Sequence, residues 1–505
     1  MRRSGFTLIE LLAVIMILGL IGLIVIPTVT KLLRDSKEKV YMSQVKMIET
    51  VAGKWGLEHI NQLSETETVY LGLTELLQSG YIKQRSINDP RNAKETMNGC
   101  IVIKYDDSYN MYEYDYTEDD CYTIKPLYSD KTGAAIPELT TGMIPVVYDG
   151  TNWVKANIKE KWYDYATKEW ANAVTVTSTN RTTHLNAAPG SIIPMSDINT
   201  MWVWIPRYKY AIPTGTGARS INIAFEAKNT TKSTGTAVDA NYLTHPAFTF
   251  GTTEVSGMWV GKFETTGTTT SLTILPNTTS LTFETIKTMY DASRAMQSNS
   301  IYGTNTDGNI HMAKDSEWGA IAYLSNSIYG KNSEVWINNS STFTTGCAGN
   351  SVSISQYSGC QNQYNTTIGV NASTTGNIYG VYDMSGGAFE YTIGMYRPND
   401  TTSVLDNSGF GATTTTGTLP SNEYWNRYIS ETALTACSGG ICYGNALSET
   451  SGWYGDSNGF INYLNPWFLR GGSYNNTTGA GIFNFDCSDG REDSEYSFRL
   501  VQVKP

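Results

Sequence analysis

MRRSGFTLIELLAVIMILGLIGLIVIP, residues 1–27, holds a single acidic side chain, Glu10, inside an apolar run. From Phe6 to Thr30 it is the only charge, and about 20 apolar residues suffice for a helix to cross hydrocarbon. A carboxylate in that setting is costly without a cation beside it, and no Lys or Arg of the run supplies one. A secretory signal carries its small-residue cleavage site after the apolar region. Here the small residue, Gly5, comes before it. Cleavage between Gly5 and Phe6 would create an α-amino group on Phe6, the missing partner for Glu10 within the chain or in a packed neighbour. Glu10 is therefore read as an assembly residue; the plainer alternative is a signal anchor in which it reaches toward the headgroups.

Beyond Pro27 the pattern turns amphipathic, with Tyr41, Val45, Ile48, Ala52 and Trp55 at helical spacing. One helix is expected over 6–58, with the membrane or filament-core part at about 6–29. Pro27 lacks a backbone donor, so a kink or local unwinding is expected there. Residues 59–125 read as a small head: a short helical stretch, LTELLQSGYI, then the strand-like IVIKY and MYEYDY. KPLYSDKTGAAIPELTTG is punctuated by Pro and Gly, and 126–140 is the expected linker. Residues 141–505 form a second, much larger unit.

The opening stretch resembles the class III signal of type IV prepilins, through Arg2 and Arg3, Gly5, Phe6, the TLIELL core with Glu10, and Pro27. That resemblance implies cleavage after Gly5 and N-methylation of Phe6 by a membrane-embedded prepilin peptidase. It also implies a precursor in the cytoplasmic membrane, and assembly with other pilin subunits into an extracellular pilus in which Glu10 and Pro27 serve packing.

Composition agrees with export. Charged residues make up only 16% of the 505-residue chain, against 33 tyrosines and 46 glycines. The formal net charge is −11, and loss of Arg2 and Arg3 with the leader makes it more negative by two. Such a balance disfavours nucleic acid as a partner, since that binding needs basic surface. Of seven cysteines, close spacing suggests Cys100 with Cys121, Cys347 with Cys360, and Cys437 with Cys442, leaving Cys487 over. Spacing does not fix connectivity, and the alternative is that all seven are free and buried. No metal-ligand spacing is present in the sequence, and the scattered His59, His184, His245 and His311 suggest no hydrolase.

Four segments carry a second resemblance, to the formylglycine-generating-enzyme/sulfatase-modifying family: GMWVGKFETT (257–266), DSEWGAIAYLSN (315–326), NIYGVYDMSGGAFEYTIG (377–394), and WFLRGGSY (467–474) with YSFRLV (496–501). It implies an elaborated C-type-lectin-like domain, so the fold class expected is α+β: a long pilin helix with a small antiparallel-sheet head, then a large loop-rich C-type-lectin-like domain. Phe389, Glu390 and Tyr391 are expected in its core, Arg470 and Arg499 pinning loops, and Gly471 and Gly472 in a tight turn. Trp202 and Trp204 alternate as a core strand. The family's oxidases need two cysteines after GGS; here only Cys487 is present, so no catalytic residue and no catalytic cofactor is expected. Gly387 replaces a calcium-ligating Asn of the family, which weakens the case for structural calcium without removing it.

The C-terminal segment also resembles C-type-lectin-like proteins diversified by retroelements, whose variable positions lie between GGS and the terminal FR. Tyr474, Asn475, Asn476, Phe483, Asn484, Phe485, Asp486, Ser488 and Asp489 are the expected ligand-binding residues, a mixture of aromatic anchors and short polar groups. A surface loop of ordinary composition is the alternative. The resulting expectation is a minor pilin at or near a pilus tip, binding an unidentified surface protein or glycan. The alternative is a pseudopilin of a type II secretion or competence system that recognises cargo.

Overall fold

The structure is a computed structural model that describes residues 8–60, 63, 68–92, 95–97, 99–106, 108–118, 127–303, 308–397, 405–411, 419–429 and 442–505. Within residues 8–30, the side chains of Glu10, of 18–28 and of Thr30 also lie outside this description. The chain divides into two compact units, Met1–Pro126 and Leu127–Pro505.

The first unit is built on one helix, Leu8–Glu58. It runs unbroken through position 27, so the expected unwinding at Pro27 is not found; a proline costs one hydrogen bond, and the rest of the ladder continues. Among the described residues no helix is long and apolar enough to cross a membrane, the side chains of 18–28 being outside them. Farther along, Tyr41, Val45, Ile48, Ala52 and Trp55 are all buried. Their spacing places them on one face, against Leu71, Leu76, Ile101 and Ile103. Strands Val69–Gly72, Cys100–Asp106 and Met111–Thr117 form an antiparallel sheet in that order. Gly56 lets this sheet approach the helix, because a Cβ there would come 2.0 Å from the Tyr114 hydroxyl.

The second unit has a seven-stranded antiparallel sheet. Its strand order is Asn309–Met312, Leu500–Val503, Gly257–Gly261, Ile198–Pro206, Asn172–Val176, Ile144–Tyr148 and Trp153–Lys155. Trp202, Trp204 and Trp259 are buried on it, as large apolar side chains at the centre of a two-sided sheet must be. Of the resembling segments, 257–266 opens as a central strand and 315–326 forms the buried helix Asp315–Ser325. The other two supply Phe389–Tyr396 and Trp467–Gly471, which pair antiparallel in a second, mixed sheet with Gly481–Ser488.

Residues 127–140, expected as part of a linker, are instead an integral strap of this unit. Buried indoles need acceptors, and the strap supplies them: Trp204 Nε1 donates to Ala135 O at 3.1 Å and Trp259 Nε1 to Glu138 O at 2.7 Å. Tyr128 N donates to Ile158 O, and the buried Asp130 accepts from Tyr165 N. A disulfide joins Cys347 to Cys360. Cys100 and Cys442 are also disulfide-bonded, while Cys121 and Cys437 lie outside the described residues. Cys487 is free and half-buried.

Candidate functional site

Two buried arginines hold the C-terminal segment in place. Arg470, in strand Trp467–Gly471, donates to the carbonyls of Asn445 (3.0 Å), Ala446 (2.8 Å) and Asn484 (3.2 Å) and faces Asp315 at 3.4 Å. Arg499 binds both oxygens of Glu390 and the carbonyls of Gly261 and Tyr382. Both guanidiniums therefore cross-link segments far apart in sequence, as charge-assisted donors in a low-dielectric interior do well.

Glu390 belongs to a buried carboxylate cluster with Glu264 and Asp383. Burial pushes Glu390 up to about 7 and Asp383 up to about 6 against the pull of Arg499, and it raises Glu264 well above the usual range. Glu264 accepts from Ala388 N and Ser280 Oγ, and Asp383 from Gly346 N and Asn338 Nδ2. Gly387 (φ +75°) sits against this cluster, and a Cβ there would come 2.5 Å from Glu264 Oε1. A side chain at this position would crowd the Glu264 carboxylate.

After Gly471 and Gly472, both at positive φ, the chain turns outward. Tyr474 N donates to Gly387 O at 2.8 Å, and the Tyr474 ring meets Phe343 edge-on at 5.3 Å. Asn475 is exposed, and the half-exposed Asn476 accepts from Ser473 N. The chain then re-enters the core as strand Gly481–Ser488. Phe483 is 0% exposed, packed on Trp453 and Tyr454. Phe485 is 3% exposed, among Phe460, Phe468 and the Arg470 guanidinium. Asn484 is buried and donates to Gly479 O. Ser488 shares a hydrogen bond with the Tyr391 hydroxyl, and Asp489 is paired with Arg491 and Asn407.

Five of the nine expected ligand-binding residues are therefore corrected to framework: Phe483, Asn484, Phe485, Ser488 and Asp489. Phe483, Asn484 and Phe485 are covered on both faces of the strand, which alternation of aromatic and polar residues does not reveal, and Ser488 and Asp489 are buried by their hydrogen-bond partners. Tyr474, Asn475, Asn476 and Asp486 keep exposed surface. Phe343, Phe389 and Tyr496 adjoin them half-exposed; Phe389, expected in the core, is thus only partly covered, and nothing in the sequence groups the other two with this surface. Gly5 and Phe6 lie outside the described residues, as does the side chain of Glu10.

Residues 1–26 match the prokaryotic N-terminal methylation motif. The motif implies a membrane-held precursor, processing by a prepilin peptidase, and a pilus-like surface location with other pilins. No curated protein matches the chain. Among solved structures, Treponema denticola variable protein 1 aligns at 12% identity over 62% of this chain and 98% of its own, with a TM-score of 0.24. The Major Tropism Determinant I1 variant aligns at 10% identity over 80% of this chain and 95% of its own, with a TM-score of 0.27. At these scores the alignments carry no fold assignment.

Proposed function

We propose that this chain is a minor type IV pilin, placed at or near a pilus tip, whose large head is a non-enzymatic adhesin on a C-type-lectin-like scaffold of the formylglycine-generating-enzyme type. The observation that carries the reading is the methylation motif at residues 1–26 joined in one chain to a compact unit, Leu127–Pro505, several times larger than the pilin part. Such bulk is easier to accommodate at a tip than in every subunit of a shaft. Tyr474, Asn475, Asn476 and Asp486 would contact the ligand, with Arg470 and Arg499 holding the loops that present them. Cys487 is the only cysteine after Gly472, which argues against the two-thiol oxidase chemistry of the resembled family.

Glu10→Ala tests the assembly half: cleavage after Gly5 should persist while incorporation into filaments falls, and undiminished incorporation would count against it. Gold labelling of the head on purified pili tests the other half. Labels at filament ends support the reading; labels along the shaft, or co-purification with a secretion channel, support a shaft subunit or a pseudopilin.

A further inference from the structure

We propose that the recognition face extends beyond the C-terminal segment to an aromatic patch of Phe283, Phe343, Phe389, Tyr474 and Tyr496, and that it takes a lysine- or arginine-bearing segment of a partner protein. The inference rests on reading the head as a binder and names its ligand class. Backbone hydrogen bonds stitch the patch together from five regions of the chain. Phe283 N donates to Asp493 O (2.9 Å), Ser280 N to Phe343 O (2.9 Å), Phe389 N to Glu495 O (2.8 Å) and Tyr474 N to Gly387 O. Phe389 and Tyr496 meet edge-on at 6.1 Å, as do Phe343 and Tyr474 at 5.3 Å.

Most large aromatics of the head are buried, yet Phe283 is 60% exposed. It also holds φ +65°, and Phe343 holds φ +51°, a left-handed conformation that bulky residues rarely adopt. Exposed aromatic surface is a usual anchor of a protein interface.

Charge selects the occupant. Glu284, Glu492, Asp493 and Glu495 adjoin the ring-bearing residues along the chain or through their backbone hydrogen bonds, and partial burial together with the nearby Glu492 raises the Glu284 pKa. Arg491 is already committed to Asp489 at 2.6 Å. No ion pair joins Glu284, Glu492 or Glu495 to a cation among the described residues. A partner's Lys or Arg would satisfy both features, its head among the carboxylates and its stem or cation over the rings. A second copy of this chain, at net charge −11, is repelled at long range. A neutral glycan could use the rings but would leave the carboxylates without counter-charge.

The test uses the full chain in detergent, with EDTA present, against a random-peptide display library, the same peptides with acetylated lysines, and a neutral glycan array. Selected peptides should be enriched in Lys and Arg, and acetylation should weaken them on the order of tenfold. Raising salt from about 0.05 to about 0.5 M should weaken them by a similar factor. The triple variant Glu284→Gln, Glu492→Gln, Glu495→Gln should lose roughly as much and lose the salt dependence. Phe283→Gly should weaken binding while leaving the melting temperature unchanged or higher, because glycine accepts φ +65° without strain. Peptides selected without basic enrichment, or glycans bound equally by wild type and triple variant, overturn the proposal while the binder reading stands. Binding of neither peptide nor glycan overturns both.

Discussion

The turn at 473–479 and the strand Gly481–Ser488 that follows it share a vocabulary of aromatic and short polar residues, yet one faces solvent and the other is core. Tyr474 and Asn475 extend from a glycine-enabled turn, whereas Phe483 and Phe485 are enclosed by Trp453 and Tyr454 and by Phe460 and Phe468. Composition alone does not separate them. What separates them is pairing: strand Trp467–Gly471 runs alongside Gly481–Ser488 and fixes its register, Arg470 against Phe485, and packed side chains cover both faces from Gly481 to Phe485, with Asp486 left exposed.

The contrast is open to measurement. The largest effect is expected for Arg499→Met, which leaves Glu264, Asp383 and Glu390 buried without their cation. It should cost about 3–5 kcal/mol in denaturant unfolding at neutral pH. Phe483→Ala should follow at roughly 3–4 kcal/mol, the usual cost of emptying a buried phenylalanine site. A loss under about 1 kcal/mol would mean that the strand can lift and that the contrast is not fixed.

Asp456 lies beneath Phe483, accepting its N–H at 2.9 Å, with the other carboxylate oxygen buried and unpartnered among the described residues. Burial pushes it up to about 8 from its ordinary 3.8. The folded chain thus keeps a proton that the unfolded chain releases near pH 4. The resulting stabilisation is complete below pH 4 and is lost as pH rises toward 8. Asp456→Asn should flatten this decline and raise stability at about pH 8.5 by roughly 2 kcal/mol, read from melts across the pH range. The smallest effect is expected for Asn475→Ala and Tyr474→Ala, within about 0.5–1 kcal/mol of wild type. A large loss there would move these residues from the face into the framework.

Where periodicity carries burial, the sequence was legible. The face Tyr41, Val45, Ile48, Ala52 and Trp55 was readable because one side of one helix is covered, and the 100–117 hairpin because its side chains alternate. Arg470, Arg499 and Glu390 were readable through the resemblance and act as it implies. The strap at 127–140 was not, because Pro and Gly mark irregular backbone whether it is free or packed, and its partners Trp204 and Trp259 lie far along the chain. Nor was the patch around Phe283. A phenylalanine at positive φ leaves no sequence signal, and its neighbours come from segments up to two hundred residues away.

The strap has a mechanical consequence for a head tethered through its N-terminal side. A pull at Leu127 reaches the strap before the sheets, and the strap is held at successive points: Tyr128 to Ile158, Ala135 to Trp204, Glu138 to Trp259, and Thr140 to Gln502 in the last strand. Loaded from one end, these attachments would be strained in that order. Releasing residues 127–140 would free a segment with a contour length of about 48 Å at roughly 3.4 Å per residue, with Ile144–Tyr148 and the seven-stranded sheet still intact. The segment would then lengthen under load while the seven-stranded and mixed sheets of the unit keep their shape.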